Sequence, residues 1–256
     1  SGLRMRTTTF CRGCLEQMHM PIAIRGPLTL LYRPFGITRS QMHPNLCTIC
    51  ESMFTRVKKK KQIEIETTVL FADLRGYTQL SQTIGAAEMN RLLHGFYDRC
   101  SEAVWEHDGI INKFIGDAVL AIFNFPLVRK GHVRNAVLAA MELQRRCHGL
   151  KAEIGLREEQ SVGIGIGVHT GICSMGEVGN AYKDFAAIGP AVNLASRLQT
   201  AAQPGEILIT PEVDAHVRDL LPTLPARSLQ LKGIDGPVSS YVIGEVLLVT
   251  EPLGAH

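Results

Sequence analysis

Asp73 and Asp117 each stand beside a glycine turn, in Phe-Ala-Asp-Leu-Arg-Gly-Tyr-Thr (71–78) and Lys-Phe-Ile-Gly-Asp-Ala (113–118). Each carboxylate follows an apolar run that reads as a strand. A single aspartate in such a place is ordinarily a turn residue that accepts backbone hydrogen bonds. Two of them, brought together by strands of one sheet, form the oxygen donor set with which a divalent cation holds a phosphate. The carbonyl of Leu74 offers a further oxygen. Backbone N–H groups of the Arg75–Thr78 turn, at Gly76, Tyr77 and Thr78, can cradle phosphate oxygens.

Lys113 adds a cation four residues before Asp117. Strict alternation places it on one strand face with Ile111 and Ile115. A lysine there either snorkels to the sheet rim or donates to a ligand lying between subunits. Asn193 and Arg197, four apart, share a helical stripe distinct from Leu194–Leu198–Ala201. That stripe is either a solvated face or a pair of fixed amide and guanidinium donors, the kind that stabilise a five-coordinate phosphorus.

The elements that must position these residues follow from periodicity. Ile63–Leu74 reads as a strand ending at Asp73, and Met89 to Val104 as a helix with one buried face. Gly109–Phe114 and Val119–Phe123 form a hairpin with Asp117 at its tip. Val133–Cys147 gives a second helix. Val162–His169 and Ile172–Val178 read as a strand pair reversing at Thr170-Gly171, with His169 a packed strand-end residue. A helix over Ala191–Ala201 follows, opened by Pro190, then short strands at Ile207–Thr210, Leu229–Leu231 and Val238–Ile243. The order is that of a ferredoxin-like βαββαβ core with a C-terminal extension, an α+β fold whose helices cover one face of a mostly antiparallel sheet.

A chain of 256 residues, 45% hydrophobic and 20% charged, suits one sizeable domain with an added segment. We expect a Cys-rich segment over 1–62, a catalytic domain over 63–246 and a tail over 247–256. A net charge of +3 is too small to imply nucleic acid, and the Lys58–Lys61 run reads as a solvated linker. No apolar stretch is long enough to span a bilayer and no secretory signal is present, which points to a cytoplasmic setting. The chain opens on Ser1 rather than Met, as a fragment or processed chain would.

These motifs, joined by Gly-Val-His-Thr-Gly (167–171), Asp-Phe-Ala-Ala-Ile-Gly-Pro-Ala-Val-Asn-Leu-Ala-Ser-Arg-Leu (184–198) and Pro-Gly-Glu-Ile-Leu-Ile (204–209), resemble the class III nucleotidyl cyclase catalytic domain over about 180 residues. The resemblance implies an adenylate cyclase that makes cyclic AMP and pyrophosphate from ATP in a head-to-tail homodimer. It implies two Mg²⁺ or Mn²⁺ ions on Asp73 and Asp117 of one subunit. Lys113 at the purine, and Asn193 and Arg197 at the ribose and phosphorus, would come from the other. Lys232, in Leu-Lys-Gly-Ile-Asp-Gly-Pro-Val (231–238), is either a triphosphate ligand or a solvated turn lysine. One position departs from the pattern: ATP-using members pair the lysine with Asp or Thr where this chain has Ala186. Losing that hydrogen bond should relax base selection by about 1 kcal/mol. Guanylate cyclases usually carry Glu in place of Lys113, so ATP is the expected substrate. The alternatives are turnover of GTP as well, or a nucleotide-binding sensor of the same fold with little turnover. A diguanylate cyclase is excluded by the lack of a Gly-Gly-Asp/Glu-Glu-Phe segment at the hairpin.

Four of the seven cysteines lie near the N-terminus as two Cys-x-x-Cys pairs, Cys11/Cys14 and Cys47/Cys50. Such pairs suit tetrahedral zinc, an iron–sulfur cluster or a dithiol switch, or else are free thiols that bind nothing. The segment lies where related cyclases carry a coupling element, so it is a candidate controller of how two catalytic domains meet. The other three cysteines are scattered singly, which fits a reducing compartment.

Overall fold

A computed structural model describes residues 8–40, 43–50, 63–157, 162–178 and 184–244. The expected linker at Lys58–Lys61 and the tail over 247–256 lie outside the described residues. The N-terminal part opens with helix α1 (Arg12–Met18), followed by two short 3₁₀ turns, Pro27–Leu31 and Arg33–Phe35. It has its own small core of Cys11, Cys14, Ile22, Ile24, Leu46, Cys47 and Cys50, into which Leu127 of the larger domain inserts.

The larger domain starts with β1 (Ile63–Arg75), followed by α2 (Tyr77–Leu80), α3 (Ala86–Glu106), β2 (Ile110–Ile115) and β3 (Ala118–Phe123). Then come α4 (His132–Cys147), α5 (Leu150–Ile154), β4 (Gly163–Val178), β5 (Asp184–Ile188) and α6 (Pro190–Ala201). The chain continues through β6 (Ile207–Ile209), α7 (Pro211–Asp214), β7 (Ala226–Gln230) and β8 (Pro237–Ile243). The sheet order is β2-β3-β1-β4-β6-β8-β7, with β5 paired to the far half of β4. Only β4–β6 is parallel among the described pairs. The ferredoxin-like core with a C-terminal extension is therefore present.

β1 is central and buried on both faces. Leu70, Ala72 and Leu74 point into the core beneath α3 and α4, with Leu92, Phe96, Val137 and Ile166. Val69 and Phe71 point the other way, toward Ala191 and Ala195 of α6. Helices thus lie on both faces, which corrects the one-face expectation. The cause is in β4, where Gly165 and Gly167 pair with Asp73 and Phe71 and so share the α6 side. A Cβ on Gly167 would come within 2.3 Å of the Gln199 nitrogen and 2.4 Å of the Ala195 oxygen. Side-chain-free strand surface lets the helix backbone settle directly on the sheet.

β4 is a second correction. Residues 163–178 form one unbroken strand, pairing with β1 from Gly163↔Arg75 to Met175↔Ile63, with Thr170 opposite Thr68 and Gly171 opposite Thr67. Thr170-Gly171 makes no reversal because both residues stay in antiparallel register with Thr68 and Thr67 of β1. A Cβ on Gly171 would sit 3.1 Å from the Ala191 Cβ, so the glycine admits α6 rather than a turn. His169 is accordingly mid-strand, with Nδ1 2.9 Å from the Thr210 hydroxyl.

Candidate active site

Asp73 lies in β1 two residues before its end, paired with Ala118 on one side and Gly165 on the other. Asp117 occupies the β2–β3 turn, after Gly116 with φ 59°, so the turn falls beside Asp73. The Leu74 N–H donates to the Asp117 carbonyl at 3.2 Å and ties turn to strand. The two carboxylates are therefore brought together. Burial, then the charge of Asp117, push the Asp73 carboxyl up to about 6, while Arg75 and Gln199 oppose the rise. Two converging carboxylates, one of them held up by burial and by the other's charge, are a fitting donor set for divalent cations. The Leu74 side chain is buried beneath the helices, so its carbonyl is what it can contribute. Gly76, in the left-handed region with φ 82°, turns the chain directly into α2, putting Tyr77 and Thr78 in the first turn after Asp73's strand.

Three residues that sequence reasoning missed surround this pair. Gln199 Nε2 donates to Asp73 Oδ2 at 2.9 Å. The Arg75 guanidinium lies 3.4 Å from the same oxygen and also donates to the Gln199 carbonyl. The Tyr97 hydroxyl of α3 donates to the Gly116 carbonyl, and its ring stacks on Phe114 with centroids 4.1 Å apart. A buried glutamine beside Leu198, an arginine two residues from Asp73 in one strand, and a tyrosine on the α3 stripe were the available signals.

Lys113 is half-buried, but it does not share a face with Ile111. The β2–β3 register slips between Ile111, opposite Ala121, and Lys113, opposite Leu120. The extra residue, Asn112, forms a β-bulge, and a bulge inverts the side-chain parity beyond it. Ile111 and Ala121 face the α3/α4 core, whereas Leu120 faces the α6 side with Phe71. The bulge thus turns Lys113 to the face that carries Asp73, in step with Ile115 only.

Asn193 and Arg197 are exposed on α6, whose buried residues are Ala191, Ala195, Leu198 and Gln199. The same helix therefore holds Asp73 with its inner face and presents Asn193 and Arg197 outward, away from their own chain's aspartates. Ala186, half-buried in β5, pairs with Gly176 and brings only a methyl group. Lys232 is exposed in the β7–β8 turn. In sheet order that edge lies four strands from β1, roughly 19 Å at ~4.8 Å per strand.

The four N-terminal cysteine sulfurs lie within 4.8 Å of one another and are buried. All seven cysteines are free. Burial pushes the Cys14 thiol up, whereas hydrogen bonds from Cys11 and Cys50 pull the Cys47 thiol down. Among the described residues no helix is long and apolar enough to cross a membrane.

Comparison with known proteins agrees with this fold. An adenylate cyclase of Anabaena cylindrica is 32% identical over 186 residues, which is 69% of this chain and 36% of that protein. The chain spans about a third of the length of the first sequence relatives it matches. The crystal structure of the adenylyl cyclase CyaB from P. aeruginosa superposes with a TM-score of 0.65 at 30% identity, over 72% of this chain and 96% of that one. The guanylyl cyclase Cya2 gives a TM-score of 0.66 at 25% identity, over 71% and 93%. Residues 58–245 match the family described as the adenylate and guanylate cyclase catalytic domain. On fold, motif order and this match together, the chain belongs to the class III nucleotidyl cyclase family.

Proposed function

We propose that this chain is an adenylate cyclase that closes the ribose 3′-hydroxyl of ATP onto the α-phosphorus and releases pyrophosphate, working as a head-to-tail homodimer. The observation that carries the reading is the convergence of Asp73 and Asp117 on the sheet face toward which the bulge at Asn112 also turns Lys113. Asp73, Asp117 and the Leu74 carbonyl would hold two Mg²⁺ or Mn²⁺ ions. Bound there, the ions supply an acidified 3′-hydroxyl and charge neutralisation of the triphosphate. Gln199 and Arg75 keep the Asp73 carboxylate oriented, and Tyr97 fixes the turn that presents Asp117. Backbone N–H groups of Gly76, Tyr77 and Thr78 are assigned to the triphosphate.

Asn193 and Arg197 point away from their own aspartates, and that orientation supports a site completed by a second copy of the chain. In that copy they would bind ribose and stabilise charge building on the α-phosphate oxygens. Lys232 would reach the triphosphate by the same route. Lys113 only donates, which suits the N1 acceptor of adenine and not the N1–H of guanine. We assign residues 63–246 to this catalytic unit and 1–62 to its control, in a cytoplasmic setting.

Ala186 favours a second reading, relaxed base choice with turnover of GTP as well, because its methyl group cannot bond the exocyclic group of either purine. Assays with ATP and with GTP, each in Mg²⁺ and in Mn²⁺, separate the two. Asp73→Ala and Asp117→Ala should each abolish cyclic nucleotide formation. A wild-type protein that makes no cyclic nucleotide under any of these conditions would leave only the nucleotide-binding sensor. Mixing Asp73→Ala with Arg197→Ala chains should restore activity at one of the two shared sites, and failure to do so would overturn the composite site.

A further inference from the structure

We propose that Cys11, Cys14, Cys47 and Cys50 hold a single tetrahedral zinc ion, which forms the core of the N-terminal module. The sulfurs are already arranged for it. Cys14 Sγ lies 3.3 Å from Cys47 Sγ and 3.6 Å from Cys50 Sγ, and Cys11 Sγ lies 3.5 Å from Cys50 Sγ. A zinc ion with Zn–S bonds of about 2.3 Å spaces its four sulfurs about 3.8 Å apart. All four fall within 4.8 Å of one another, which leaves room for one ion at the centre. An iron–sulfur cluster would put several irons and sulfides in that space and drive the cysteine pairs much further apart.

The surroundings are built for thiolates. The Cys47 N–H donates to Cys11 Sγ at 3.2 Å and the Cys14 N–H to the same sulfur at 3.5 Å, so Cys11 caps α1 with its side chain. Backbone donors aimed at a ligand sulfur hold it in place for a metal. A Cβ on Gly13 would meet Cys50 Sγ at 2.6 Å, so a glycine is required where the two knuckles close on one another. Apart from these sulfurs the buried apolar side chains among the module's described residues are few: Ile22, Ala23, Ile24 and Leu46, with Leu127 contributed from outside. A core this small is typically stapled by disulfides or a metal, and the cysteines are not bridged.

The test uses the whole chain purified without chelator. Zinc, iron and acid-labile sulfide are measured, and Co²⁺ is exchanged in to read coordination from its visible spectrum. One zinc per chain is expected, without iron or sulfide, with an intense tetrahedral thiolate spectrum for the Co²⁺ form. Four cysteines should resist a thiol reagent until a chelator is added. Stoichiometric iron with sulfide would overturn the proposal. So would protein without metal whose four thiols react at once, or a six-coordinate Co²⁺ spectrum. Cys47→Ser should lower bound zinc at least tenfold, and full retention of zinc by that variant would place the ion elsewhere. None of these readouts depends on cyclase activity, so the metal site and the proposed function stand or fall separately.

Discussion

Gln199 reaches inward from α6 to donate to the Asp73 carboxylate at 2.9 Å, while Arg197, two residues earlier, faces outward from the same helix. One helix therefore fixes a metal-binding carboxylate in its own chain and would carry phosphorus-binding donors to the next. A hydrogen bond to a charged group contributes about 1.5–3 kcal/mol. Gln199→Met keeps the volume and removes the donor, so it should weaken metal activation about tenfold or more. A Mn²⁺ titration of activity reads this, and a urea midpoint close to wild type would separate it from unfolding. An unchanged metal dependence would show that Asp73 does not need the amide.

The seat of α6 on the sheet gives a second prediction. A Cβ at Gly167 collides with the helix backbone at both Gln199 and Ala195, so no side chain can rotate to relieve it. Gly167→Ala should cost about 2–3 kcal/mol by overpacking, seen as a lower urea midpoint. It should also lower activity further, because Asn193 and Arg197 ride on the displaced helix. Gly131→Ala, where nothing lies within 4 Å and φ is negative, is the matched control and should be close to neutral.

How much of this was legible in the sequence depended on the range of the interaction. The α3 and α4 stripes and the β2–β3 hairpin follow from local periodicity, and so did the approach of Asp117 to Asp73. The unbroken β4 did not, because Thr-Gly reads locally as a turn and its actual role is to admit Ala191 from a later helix. The face of Lys113 was misread because a bulge at Asn112 leaves no mark on alternation. Gln199 and Arg75 were passed over because their partner, Asp73, is fixed only by the folded sheet. The cysteine pairs were recognisable as a metal motif, whereas the choice of one ion over a cluster needed the distances between sulfurs.

Tyr97 gives a third prediction. Its hydroxyl holds the Gly116 carbonyl and its ring rests on Phe114, so strand and turn are braced from α3. Tyr97→Phe keeps the stack and loses one hydrogen bond, about 1 kcal/mol. Turnover should fall about fivefold with a small change in melting temperature. Equal turnover in variant and wild type would mean that the turn is rigid without this brace.

The buried histidines should cost stability in mild acid. His132 is buried with Nδ1 2.8 Å from the Thr68 hydroxyl, and burial holds its pKa below 6.5. His107 and His169 are held down for the same reason. A lowered folded-state pKa means that only the unfolded chain takes up the proton as pH drops through about 6.5. The contribution is complete above that value and is lost below it. Asp73, raised to about 6, takes up its proton first in the folded chain and opposes this loss, so the readout is the difference: between pH 7.5 and 5.5 the urea midpoint should change less favourably in wild type than in His132→Asn. Parallel profiles would remove His132 from the account.

The N-terminal module grips the open end of the hairpin whose closed end carries Asp117. Arg12 donates to both oxygens of Asp108, just before β2, while Arg129, beyond β3, pairs with Asp108 at 3.2 Å and with Glu16 of α1 at 2.8 Å. Leu127 is buried in the module's core between these charges. The four charged groups are partly exposed, so each pair alone is worth little, but together with Leu127 they tie both roots of the hairpin to one small body. Asp108→Ala removes one of the two carboxylates that Arg12 and Arg129 share and leaves only Glu16 between them. Hydrogen exchange should then quicken at residues 8–50 and along 110–123, with β4 and β6 unchanged. Stripping the cysteine-bound metal with a chelator should quicken the same two regions in the wild-type chain. If it quickens residues 8–50 alone, the module is merely attached to the hairpin. If both treatments give one fingerprint, the state of the cysteine site is transmitted to the strands that hold Lys113 and Asp117.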